Sequence, residues 1–97
     1  MKILVVCNAG MSSSILVKKI KEYATSINEE TDVKAVSSAS VSDEAGKWDV
    51  CLVAPQIMYA VEDVKKQLGV PTAAVDMRAY AIADGKAAYE QAKGLKG

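Results

Sequence analysis

This sequence predicts an α/β fold: a single four-stranded parallel sheet in the order 2-1-3-4, with helices on both faces. Three observations carry the prediction. Short apolar runs alternate with segments of helical period along the whole chain. Two of the runs are apolar almost throughout, while the other two are alternating or brief. Stop and cap residues, Gly69, Pro71 and Asp84 among them, stand where the periods change.

Taken in order, Lys2 to Cys7 reads as a buried strand. From Ser14 to about Asn28, Ile15, Leu16, Ile20, Tyr23, Ala24 and Ile27 fall on one stripe, which predicts a helix. Asp32 to Ser37 sets Val33 and Ala35 against Lys34 and Val36, a weaker second strand. The polar stretch Ser38 to Lys47 is expected to hold a helical turn begun by Ser42 ahead of Asp43 and Glu44. Trp48 to Ala54 is the third strand; Ile57, Val61, Val64 and Leu68 then recur at helical spacing until Gly69 and Pro71 end the run. Pro71 to Val75 makes a short fourth strand, and Ala87, Ala88, Ala92 and Leu95 give the last helix a shallow apolar face with Asp84 as N-cap.

Alternating strands and helices require parallel pairing through right-handed crossovers. The apolar first and third strands suit the middle of the sheet and the other two its edges, giving a flavodoxin-like order that lacks a fifth strand. In that order the chain reverses direction between strands one and three. Open α/β sheets hold their ligands at such a switch point, beyond the carboxyl ends of the strands. Cys7 ends the first strand and falls there.

Length and charge exclude several classes. The 97 residues suit one domain, 1–97, with a core that needs no staple. Acidic and basic side chains balance to a formal net charge of +0, and the lysines are dispersed, so nucleic acid is not an expected partner. No apolar run approaches the roughly 20 residues that span a bilayer, so no membrane insertion and a cytoplasmic location are expected. Cys7 and Cys51 lie far apart, without CxxC spacing, and histidine is absent, which removes zinc and thioredoxin-type sites; no metal is expected.

The segment "VVCNAGMSSSIL" carries the chemistry. A helix start leaves backbone N–H groups unpaired and bears partial positive charge, so Asn8, Ala9, Gly10, Met11, Ser12, Ser13 and Ser14 are expected to cradle a phosphate. Gly10 permits a tight turn and close approach, and the serine hydroxyls either cap the helix or donate to the anion. The same field favours the thiolate of Cys7, the catalytic candidate. The plainer reading is that Cys7 is a small hydrophobe and the loop a turn. The coincidence of thiol, glycine, serines and switch point favours a site. Cys51, between Val50 and Leu52 in mid-strand, is expected to be packing, and on the order of 10 Å of strand rise argues against a bridge to Cys7.

A cysteine over such a loop suits either hydrolysis or relay of a phosphoryl group. A low-molecular-weight cysteine phosphatase has a CxxxxxR loop, but here the sixth residue after Cys7 is Ser13, and the sole arginine, Arg78, lies beyond the fourth strand. Without that clamp the relay fits better than the hydrolase. A regulatory or redox-sensing module of the same fold is a third reading.

The stretches "ILVVCNAGMSSSILVKKI" and "VCLVAPQIMYAVEDVKKQL" resemble the IIB components of the lactose/cellobiose class of the bacterial phosphoenolpyruvate-dependent sugar phosphotransferase system. The likeness spans nearly the whole chain: a C-x-A-G-M-S-[ST]-S loop, a P-Q-I-x-Y segment after strand three, and a D-G pair before the last helix. The resemblance implies a four-stranded parallel sheet and a phosphotransferase. It implies that Cys7 accepts a phosphoryl group from a histidine of a IIA component and passes it to a disaccharide carried by a membrane IIC component. Pro55, Gln56 and Tyr59 would border the crevice, though each is about equally well explained as a helix opening or surface position. Ala54 departs from the glycine expected there, and Asn8 occupies a variable position. A relay needs only a nucleophile and a cradle, so no cofactor is expected, and the absence of histidine ceases to be odd.

Overall fold

The computed structural model describes residues 1–7 and 11–97, with the side chains of all of these except 11–13. The elements run β1 (Lys2–Cys7), α1 (Met11–Ser26), β2 (Asp32–Ser37), a 3₁₀ segment (Ser38–Glu44), β3 (Val50–Val53), a second 3₁₀ segment (Pro55–Ala60), α2 (Val61–Leu68), β4 (Thr72–Ala74), α3 (Met77–Ala81) and α4 (Gly85–Lys96). All strand pairs are parallel and the order is β2-β1-β3-β4, as expected.

Hydrophobicity explains the order. Ile3, Leu4, Val5 and Val6 of β1 and Val50, Cys51, Leu52 and Val53 of β3 are fully buried, because a central strand has helices over both faces. Side chains of this size each contribute about 1.5–3 kcal/mol when removed from water. Strand β2 at the edge is buried only at Val33, and its remaining residues are half-buried or exposed. Helices α1 and α4 pack against each other, and α2 packs with the first 3₁₀ segment.

Capping sets several boundaries. Asp84 accepts a hydrogen bond from the Ala87 backbone at 3.0 Å, the expected N-cap of α4, and Gly69, at φ +69°, donates to the Lys65 carbonyl to close α2. Asp76 caps α3 by accepting from Ala79 at 3.2 Å.

Several sequence expectations are corrected. Helix α1 begins at Met11 instead of Ser14, so Ser12, Ser13 and Ser14 stand inside its first turn and none is the N-cap. Ile15 and Ile27 leave the apolar stripe and are exposed; the buried face is Leu16, Ile20 and Ala24. The turn expected from Ser42 is a 3₁₀ segment starting at Ser38. Strand β3 is shorter than Trp48 to Ala54, and β4 is shorter than Pro71 to Val75. The Ile57 end of the expected helix is 3₁₀, with the α-helix starting at Val61. Helix α3 is an element that periodicity did not reveal, since five residues are too few to display a period.

Candidate functional site

Cys7 is the last residue of β1, and in register its Cα partner is Ser37, the last residue of β2. On the other side Val6 pairs with Val53, so Ala54 and Pro55 follow at the same edge of the sheet. Helix α1 starts at Met11, four positions after the thiol, and the segment Pro55–Ala60 starts where β3 ends. The carboxyl ends of the two central strands therefore come together at the switch point, as expected.

The thiol is covered, at 2 % exposure, which is less open than a position beyond a strand end suggests. Its Sγ donates to the Val36 carbonyl at 3.7 Å, so the sulfur leans toward β2. The central placement of β1 explains this, because even its final side chain has a covered face to pack into. Neither of two surface hollows is lined by Cys7. One of about 610 Å³ runs along α1 past Ser14, Val17, Lys18 and Lys21, and one of about 400 Å³ lies by Glu29, Tyr89 and Lys93.

Of the residues expected to form the cradle, Asn8, Ala9 and Gly10 lie outside the described residues, as do the side chains of Met11, Ser12 and Ser13. Ser14 is described and exposed, in the first turn of α1. Pro55 is buried and opens its 3₁₀ segment, while Gln56 is exposed and Tyr59 reaches 83 % exposure. Arg78 lies exposed in α3, after β4, which β3 separates from β1.

Cys51 behaves as packing. It pairs with Leu4, three residues short of Cys7, is fully buried, and burial pushes its thiol pKa up to about 12. Neither cysteine is in a disulfide. Among the described residues no group of three or more His, Cys, Asp or Glu side chains could hold a metal ion, and no helix is long and apolar enough to cross a membrane.

The sequence reading missed a feature of the rim. Ile15, Met58, Tyr59, Met77 and Ile82 are all exposed, and all stand on elements that follow the carboxyl ends of β1, β3 and β4. Ile27 is the large exposed hydrophobe, among the described residues, that lies elsewhere. Exposed apolar side chains on segments that follow the strand ends are the material of which interaction faces are made. The sequence put Ile15 on the helical stripe and Tyr59 at the crevice border; that these side chains stand exposed is decided only by the fold.

Comparison with known proteins follows the same outline. A family profile described as the lactose/cellobiose-specific IIB subunit of the PTS system matches residues 2–91. The chain is 43% identical over 97 residues to the oligo-beta-mannoside-specific EIIB component of Bacillus subtilis (strain 168), covering 97% of this chain and 94% of that protein. It is 32% identical over 101 residues to the cellobiose-specific EIIB component of Lactococcus lactis subsp. lactis (strain IL1403), covering 96% of this chain and 94% of the relative. Among solved structures, the cellobiose-specific phosphotransferase IIB component from Borrelia burgdorferi superposes with a TM-score of 0.81 at 33% identity, over 98% of this chain and 90% of that one. The lactose-specific IIB domain from Streptococcus pneumoniae, at 20% identity, shares the fold with a TM-score of 0.78, over 98% of this chain and 93% of its own.

Proposed function

The chain belongs to the lactose/cellobiose-specific IIB family of sugar phosphotransferase systems, and on that premise we propose that Cys7 is its phosphoryl-carrying residue. The observation that carries the reading is the position of Cys7: it ends a central strand at the switch point, four residues before the start of α1.

In the proposed relay, the sulfur attacks the phosphorus of a phosphohistidine on a IIA component. An S–P bond forms as the P–N bond breaks, and the departing imidazole nitrogen takes up the thiol proton. A hydroxyl of a disaccharide held by a membrane IIC component then attacks phosphorus; an O–P bond forms as the S–P bond breaks, and the sulfur, leaving as thiolate, takes up the hydroxyl proton. The thiolate is a good leaving group, so the carrier returns unchanged. Backbone N–H groups at the start of α1, with Asn8 to Ser14, stabilise the anionic group in both states. Gln56 and Tyr59 border the approach. The protein works in the cytoplasm against its membrane partner.

Three features support relay over hydrolysis. No arginine follows at the sixth position after Cys7. Arg78 stands two strands away from β1. The exposed apolar rim suits a protein partner better than a small ester. Because the thiol is covered, transfer requires the sulfur to be uncovered to its partners.

The test is direct. With phosphoenolpyruvate, the general phosphotransferase proteins and a cognate IIA component, the intact mass should rise by one phosphoryl group, and Cys7→Ser or Cys7→Ala should abolish the rise. Steady release of inorganic phosphate from an aryl phosphate, with no mass gain from IIA, overturns the reading in favour of a phosphatase.

A further inference from the structure

We propose that Ser37 is a second-strand donor to the phosphoryl group on Cys7, a role that rests on the phosphocysteine reading above. Ser37 is the in-register partner of Cys7. Paired residues of neighbouring strands present their side chains to the same face of the sheet, with the strands about 4.8 Å apart. The two side chains are therefore adjacent by construction of the sheet.

Two further observations converge. The Cys7 sulfur leans toward β2, onto the carbonyl of Val36, the residue bonded to Ser37. The Ser37 hydroxyl makes no cap bond to the 3₁₀ segment that it precedes, and among the described residues it has no hydrogen-bond partner. It is half-buried at φ −79° and ψ 160°, an ordinary extended conformation, so nothing in the backbone requires serine there. A hydroxyl with no structural duty stands beside the reacting sulfur.

A phosphoryl group on Cys7 has three outward oxygens. Backbone donors at the start of α1 lie along the helix axis. Ser37 stands on β2, across the sheet, and its O–H donates to one of the phosphoryl oxygens from that side. A bond of this kind to a charged acceptor is stronger than one between neutral groups and contributes most while negative charge is concentrated on those oxygens.

Single-turnover phosphorylation by phosphorylated IIA, read by intact mass, tests the assignment with Ser37→Ala and Ser37→Thr. Alanine should slow transfer at saturating donor at least about tenfold, leave the half-saturating donor concentration unchanged, and shift the ³¹P resonance of the phosphocysteine. Threonine keeps the hydroxyl and suits a strand, so it should restore both rate and resonance. Thermal melts of the unphosphorylated variants should match the parent. Alanine as fast as the parent, or threonine as slow as alanine, overturns the role of Ser37. A parent protein that never gains mass instead overturns the phosphocysteine reading, so the two failures are distinguishable.

Discussion

Gly85, at the start of α4, lies directly against the backbone of Lys19 in the middle of α1: a Cβ at Gly85 would fall within the radii of the Lys19 carbonyl carbon and oxygen and 2.7 Å from the Ile20 nitrogen. The contact is between two backbones, so no side-chain rotation relieves it. Gly85→Ala should therefore destabilise the fold by about 3 kcal/mol, seen as a lower midpoint in urea. Since α1 carries the C-terminal half of the proposed phosphoryl loop, the variant should also slow phosphorylation of whatever fraction remains folded.

The opposite holds two residues earlier. Ala83 has φ +53°, a left-handed conformation that a Cβ disfavours, at the junction of α3 and α4. Ala83→Gly should stabilise the protein by ~0.5–1 kcal/mol, raising its melting temperature with no change in phosphoryl transfer.

Glu44 is buried at the end of the first 3₁₀ segment, where it accepts from the Trp48 indole at 2.9 Å and from Lys34 at 3.1 Å. These bonds, the indole first, hold its pKa below the ordinary carboxylate value. A lowered folded-state pKa means stability that is present above the unfolded value and lost as pH falls through the folded one. The urea midpoint should accordingly drop on acidification below about pH 4.5, and Glu44→Gln should flatten that drop. Glu44→Ala, which leaves the indole N–H without its partner, should cost about 1–3 kcal/mol at neutral pH.

The two thiols should behave differently. Cys51, fully buried with a raised pKa, should resist alkylation in the native protein and react only on unfolding. Cys51→Ala should cost roughly 1–2 kcal/mol and leave phosphoryl acceptance intact, whereas Cys7→Ala should abolish acceptance. Mass spectrometry after labelling reads both.

The apolar rim gives a fourth contrast. Met77, at 69 % exposure, and Ile82 are both on or beside α3, and neither packs into the core. Met77→Ser with Ile82→Ser should raise the IIA concentration for half-maximal phosphorylation by about tenfold without lowering the melting temperature. Ile27→Ser, equally apolar but away from the rim, should change neither.

The fold was largely legible in the chain because burial imposes a pattern. Strands such as Ile3–Val6 and Val50–Val53 must be apolar on both faces to sit in the middle of a parallel sheet, and that requirement alone ordered the strands correctly. Local capping chemistry likewise marks Asp84 and Gly69 as boundaries in the sequence itself. The place of Cys7 at the carboxyl end of a central strand was legible for the same reason.

Only the tertiary structure decided which residues meet across elements. Ser37 was one serine among several until the β1–β2 register set it beside Cys7, and the Gly85 contact with Lys19 joins positions distant along the chain. Ile15 has the composition of a core residue and lies exposed, because helix rotation is set by the sum of packing contacts and not by any single side chain. Period and propensity are local quantities that a sequence displays directly. Register, helix docking and the gathering of an apolar rim are products of closing the whole core, and they exist only once it has closed.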